Sequence, residues 1–92
     1  PAARERVEVV LQPDGSPAEL VRTGVEKDHR VAKVTVSADA PNTLFIDLVP
    51  GEHGHHFLLE SLIAGGGRIA AFKPVEIKLE DAFLKLTTGA LQ

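Results

Sequence analysis

The sequence predicts an α+β domain, and three observations carry that expectation. Four short segments rich in Val, Ile, Leu and Thr have strand character, and alternation of apolar and polar residues is clearest in the first. Segments with helical spacing fall between the first and second of these, between the third and fourth, and at the C-terminal end. Most boundaries carry Pro, Gly, Asn or Asp, residues that end regular structure. The 92 residues amount to one domain, so residues 1–92 read as a single unit, with no internal repeat and no low-complexity tract.

Glu5 to Leu11 reads as the first strand, with Val7, Val9 and Leu11 alternating against Arg6 and Glu8; Val10 interrupts the polar side. Gln12-Pro13-Asp14-Gly15 is turn chemistry. Ser16-Pro17-Ala18-Glu19 spells a helix start, with Ser16 as N-cap, Pro17 at the first helical position and Glu19 completing a capping box. Leu20 and Val21 form the apolar face of this short helix, and Gly24 sits where a left-handed C-cap belongs. Val31 to Ser37 is the second strand, with Ala32, Val34 and Val36 on one side and Lys33, Thr35 and Ser37 on the other. Ala38 to Asn42 turns the chain into a third strand, Leu44 to Val49. Leu44, Ile46 and Leu48 face inward there, and Phe45, Asp47 and Val49 face the other side.

The stretch from Glu52 to Ala64 is the main helix, striped by Leu58, Leu59, Leu62 and Ile63 and stopped by Gly65-Gly66-Gly67. Arg68 to Lys73 is the fourth strand, closed by Pro74; Val75 to Lys78 is an extended link. Leu79 to Thr87 is a last helix, with Leu79, Ala82, Phe83 and Leu86 at i, i+3, i+4, i+7. The order β-α-β-β-α-β is the split βαβ arrangement of a ferredoxin-like fold. Right-handed crossovers put both internal helices on one face of a four-stranded antiparallel sheet. The other face is left for water, the extra C-terminal helix or a partner.

Composition removes several functions. Ten basic and thirteen acidic residues give a formal charge of −3, which disfavours a nucleic-acid backbone or an anionic membrane surface as partner. The chain has no Cys, so disulfides, thiolate metal sites and a Cys nucleophile are excluded. No apolar run reaches the ~18 residues of a membrane span. Of four Phe residues only Phe45 falls on the outward face of the sheet, beside Asp47 and Glu8, a poor platform for stacking RNA bases. Ser16, Ser37 and Ser61 lack a glycine elbow. The Gly65-Gly66-Gly67 run follows a helix and opens a strand, the reverse of a phosphate loop. No catalytic residue and no cofactor site is expected in this chain.

Glu52-His53-Gly54-His55-His56 gathers three of the four histidines. On a helix, His53, His56 and Glu60 share one polar sector and form a candidate three-ligand metal set, imidazole being a common ligand for zinc, copper or nickel. His55 falls toward the apolar stripe and is expected to pack. A solvated helix start explains the run better than a metal site does, since Gly54 loosens the geometry and no further acid is placed nearby in sequence; the pattern is also not HExxH.

The C-terminal segment carries the most specific pattern. Pro74 and then Lys78-Leu79-Glu80-Asp81-Ala82-Phe83-Leu84-Lys85-Leu86-Thr87-Thr88-Gly89 resembles the closing motif of the accessory domain that follows the nucleotide-binding domain in ATP-binding subunits of bacterial ABC exporters of the drug-efflux and ABC-2 type. The usual ending reads roughly Ser-Leu-Glu-Asp-Val-Phe-Leu-x-Leu-Thr-Gly. The matching positions are Leu79, Glu80, Asp81, Phe83, Leu84, Leu86 and Thr87. Lys78 stands in place of the Ser cap, Ala82 in place of Val, and Thr88 is additional. The resemblance spans the chain in length and element order, but only about a dozen residues are specific to it.

The resemblance implies a non-catalytic regulatory or dimerisation domain. ATP and Mg would belong to an ATPase domain upstream in the same chain. The implied partners are that domain, a membrane permease subunit and a second copy of the chain. The implied location is the cytoplasm, peripheral to the inner membrane through the transporter. The lack of Met and the Pro-Ala-Ala start fit a mature protein whose initiator Met is removed before Pro and equally a piece of a longer chain, and the resemblance favours the second. The other reading is a stand-alone ferredoxin-like sensor that binds a small ligand or metal through the histidine cluster. From the residues alone, Glu80 and Asp81 in the first turn offset the weak cap at Lys78 through the helix dipole. Leu84 lies off the apolar stripe and marks a second contact surface or a lone exposed side chain.

Overall fold

The computed structural model describes residues 3–51 and 53–78, with the backbone alone for residues 3, 4 and 76–78. Its elements are β1 (Ala3–Leu11), α1 (Ala18–Val25), β2 (Val31–Val36), β3 (Thr43–Leu48), α2 (His56–Ala64) and β4 (Ile69–Lys78). The four strands form one sheet in the order β2-β3-β1-β4, and every neighbouring pair is antiparallel. β1 and β2 therefore run parallel with β3 inserted between them, and β3 and β4 run parallel around β1. These are the two split βαβ units of the ferredoxin-like arrangement.

Period-2 alternation decides the faces. Val7 pairs with Ile46 and Val9 with Leu44, and all four are fully buried. With Leu11, Leu48, Val31 and Val34 they form the sheet side of the core. The helices supply the other side through Ala18, Val21 and Val25 of α1 and Phe57, Leu58 and Leu62 of α2. Burying one such side chain stabilises by roughly 1.5–3 kcal/mol, so the two short helices are held by this face rather than by their propensity.

Several local expectations are corrected. Ser16 does not cap α1. The cap position is Pro17, extended at φ −66°, ψ 152° and without a side-chain cap bond. The Ser16 N–H instead donates to the Gly66 carbonyl at 2.9 Å, tying the helix entry to the glycine loop. The Glu19 carboxylate, freed from a capping box, accepts from Arg22 at 2.7 and 3.0 Å. Gly24 lies inside α1, and the chain leaves the helix at Glu26 with an ordinary φ of −70°. The buried stripe is Ala18, Val21, Val25, at i, i+3, i+7, and Leu20 is 59% exposed.

A register shift between Val31 and Lys33 turns β2, so Val31 and Val34 are buried while Ala32 is exposed. α2 starts at His56, because Gly51 at φ 154° and Gly54 at φ 57° break any helix before it. Phe57 takes the place of Ile63 in the stripe, and Ile63 is 62% exposed. β4 does not stop at Pro74 but continues to Lys78, with Pro74 opposite Val7. As the outer strand of the sheet it tolerates a residue without an N–H. The Leu79–Thr87 helix lies outside the described residues.

Candidate functional site

The histidines do not converge. His53 sits in the loop before α2, where its Nε2–H donates to the Val49 carbonyl at 2.6 Å. Its ring meets Phe57 edge-on, with centroids 5.8 Å apart. His56 opens α2 on the exposed side, and Glu60, also exposed, follows one turn later. Among the described residues no group of three His, Asp or Glu side chains is placed to hold a metal ion.

His55 does not pack into the apolar stripe. Its Nε2 lies 2.6 Å from the Glu5 carboxylate of β1, joining the start of α2 to the sheet. The pair stands at a cleft of about 310 Å³ lined by Glu5, His55, Pro74 and Val75. Glu5 continues the inward alternation of Val7, Val9 and Leu11 toward the start of β1, on the face where His55 meets it.

A second polar cluster was not foreseen. Arg30 lies 3.9 Å over the Phe57 ring and grips Asp28 through two guanidinium bonds of 2.9 and 2.8 Å. The Arg30 backbone N–H adds a bond of 2.9 Å. The Arg30 guanidinium, first by its hydrogen bonds and then with help from that N–H, holds the Asp28 carboxyl well below the usual carboxylate range. Glu60 adds to the field on Arg30. The spacing of Asp28 and Arg30, an Asx-type turn after a helix, was the available sequence signal. The cluster locks the entry of β2 onto α2.

On the far face of the sheet, Arg6 binds Asp47 at 2.6 and 3.3 Å and lies 5.7 Å over Phe45. Lys33 is the register neighbour of Asp47, and Glu8 is flanked by Phe45 and Lys73. This face is thus a set of alternating charges around one half-buried aromatic ring.

The glycine loop behaves as a helix stop. Gly65 caps α2, Gly66 takes φ 87°, and the Gly67 N–H donates back to Leu62 at 2.9 Å. The loop hands the chain to β4 beside the β1–α1 turn, where the Gln12 N–H donates to Arg68 at 2.7 Å. The motif residues Leu79, Glu80, Asp81, Phe83, Leu84 and Leu86 lie outside the described residues.

Fold and side chains together define an α+β domain of ferredoxin-like arrangement. No helix among the described residues is long and apolar enough to cross a membrane. No family model, curated protein or solved structure matches the chain.

Proposed function

We propose that this chain is the C-terminal regulatory or dimerisation domain of an ABC exporter ATP-binding subunit, supporting ATP-driven export without binding nucleotide itself. The observation that carries the reading is the run Leu79-Glu80-Asp81, Phe83-Leu84, Leu86-Thr87, which follows the last strand as the accessory-domain closing motif does. The βαββαβ order that precedes the run agrees with the reading. In this role the domain contacts the upstream ATPase domain and the permease, and its own residues provide packing rather than chemistry. The sensor reading draws less support, because His53 and His55 are engaged by Val49 and Glu5 and His56 stands apart from a third ligand.

Calorimetric titration of the chain with Mg-ATP tests the absence of a nucleotide site. The expected result is no saturable heat, since the glycine loop opens a strand and not a helix. Micromolar binding overturns the reading.

A further inference from the structure

The sheet order leaves β2 and β4 with one neighbouring strand each among the described residues. The two edges are not alike. β4 carries Pro74 within its span, a residue that removes a donor and guards an edge against further pairing. β2 has no Pro, and its only charge, Lys33, stands on the outward face. The bulge in β2 lies at its start, between Val31 and Lys33, so Lys33 to Val36 keeps one register with β3. The ladder fixes where the backbone of this stretch points. The Ser37 N–H donates to the Thr43 carbonyl at 2.9 Å, next to the Val36–Leu44 pair. At the two-residue period of an antiparallel ladder, the N–H and C=O groups of Thr35 and Lys33 also face β3. Those of Val34 and Val36 therefore face away from the sheet. Their side chains point to the helix layer, where Val34 is buried and Val36 only partly so. Thr35 and Lys33 are exposed on the other face.

We propose that this edge pairs with the β2 edge of a second copy of the chain, antiparallel and centred on Thr35. Val34 then lies opposite the partner's Val36, and Val36 opposite the partner's Val34. Each such pair exchanges both N–H···O bonds, which satisfies the backbone groups that β2 turns outward between Lys33 and Ser37. On the helix side valine meets valine, and the partner covers the rim that Val36 leaves half open. On the outward side Thr35 meets the partner's Thr35 at a closely spaced position, and Lys33 meets the partner's Ser37, so no like charges stand opposed. Neighbouring registers fit less well. Centring the pair on Val34 sets Val36 against the partner's Ala32, inside the bulge, and centring it on Val36 sets Val34 against the partner's Ala38, beyond the strand. Self-complementarity at this one register selects a second copy over an unrelated strand. The twofold axis stands perpendicular to the joined sheet, and both helix layers lie on one side of it. The inference deepens the dimerisation role proposed above by giving it a surface. Its test needs no ATPase domain, so failure here leaves the exporter reading to its own test.

Sedimentation velocity of the full chain over a wide concentration range should show a reversible monomer–dimer equilibrium. Thr35→Lys sets like charges across the axis and should weaken the dimer several-fold, as should Thr35→Glu. Mixing these two variants should restore a dimer with one copy of each, a rescue that general damage to the strand does not produce. Val36→Pro removes an outward N–H and leaves the bonds to β3 in place. It should also yield a monomer, and it serves if the Thr35 variants fail to fold, as judged by circular dichroism. A cysteine reporter reads the register, since the chain has no Cys. Thr35→Cys places its two sulfurs on Cα atoms ~4.5 Å apart, inside the ~4.4–6.8 Å range of a disulfide, and should cross-link two chains on mild oxidation. Lys33→Cys, also exposed on that face, stands ~13 Å from its copy along the strands and should not. A parent chain that stays monomeric at millimolar concentration, with the edge open or held by another segment, overturns the proposal. So does a dimer that Thr35→Lys leaves intact, or faster cross-linking by Lys33→Cys than by Thr35→Cys.

Discussion

Replacing Gly66 with Ala tests how the glycine loop holds the fold. Gly66 has φ 87°, a conformation that L side chains rarely adopt, and its carbonyl receives the Ser16 N–H. A Cβ added there collides with Ser16 Oγ and stands 3.1 Å from Ser16 Cβ. The left-handed backbone costs a non-glycine residue roughly 1–2 kcal/mol. Crowding in a packed site adds about 1–3 kcal/mol. Together these remove about 2–5 kcal/mol from a total of only 5–15 kcal/mol for a domain. At ~4–8 °C per kcal/mol for a domain of this size, the unfolding midpoint should fall by about 10 °C or more. Thermal unfolding followed by far-ultraviolet circular dichroism reads this directly. The double variant Ser16→Gly, Gly66→Ala relieves the collision and should recover that part of the loss, leaving the backbone cost. Gly24→Ala is the internal control. Gly24 lies inside α1 with open space where a Cβ would go, so Ala should stabilise by roughly 0.5–1 kcal/mol. If Gly66→Ala melts with the parent, the loop does not require this conformation and the reasoning fails.

Two further outcomes follow from the packing and the charges. On the apolar stripe read from the sequence, Phe83→Ala should lower the unfolding midpoint sharply, truncation of a core Phe costing ~3–5 kcal/mol, whereas Leu84→Ala, off that stripe, should leave monomer stability nearly unchanged and weaken self-association or docking to an ATPase domain; thermal unfolding at two concentrations with sedimentation separates them, and a larger effect from Leu84 reverses the assignment of faces read from the sequence. Asp28 has a depressed carboxyl pKa in the folded chain, so it contributes stability above the unfolded value of ~3.9, and that contribution is lost as pH falls through and below it. Asp28→Asn should therefore flatten the acid limb of a plot of midpoint against pH, and an unchanged slope contradicts the bond to Arg30.

The alternation in β1 and β3 was fully legible, because Val7, Val9, Leu11, Leu44, Ile46 and Leu48 each lie two residues from the next and all are buried. The split βαβ order followed from it. Legibility failed where a tertiary contact outbid a local preference. Ser16 has the chemistry of a cap, yet its N–H is taken by the Gly66 carbonyl, fifty residues away, and no local rule anticipates that bond. Ala32 loses its inward place to a bulge, and Pro74 ends a strand only when that strand has neighbours on both sides, which β4 lacks. At the candidate site, the His53, His56 and Glu60 set presumed a helix that two glycines prevent. His55 found Glu5 across fifty residues, a pairing invisible to spacing. The Asp28–Arg30 turn was readable as a local motif, but its stacking on Phe57 required the fold.

The central claim, that these residues serve an ABC ATPase, is tested most directly by sequencing the gene upstream of the codon for Pro1. The proposed function predicts a continuous reading frame that encodes Walker A, the signature motif and Walker B ahead of this domain. A stop codon in that frame, or an upstream domain without a phosphate loop, would contradict it.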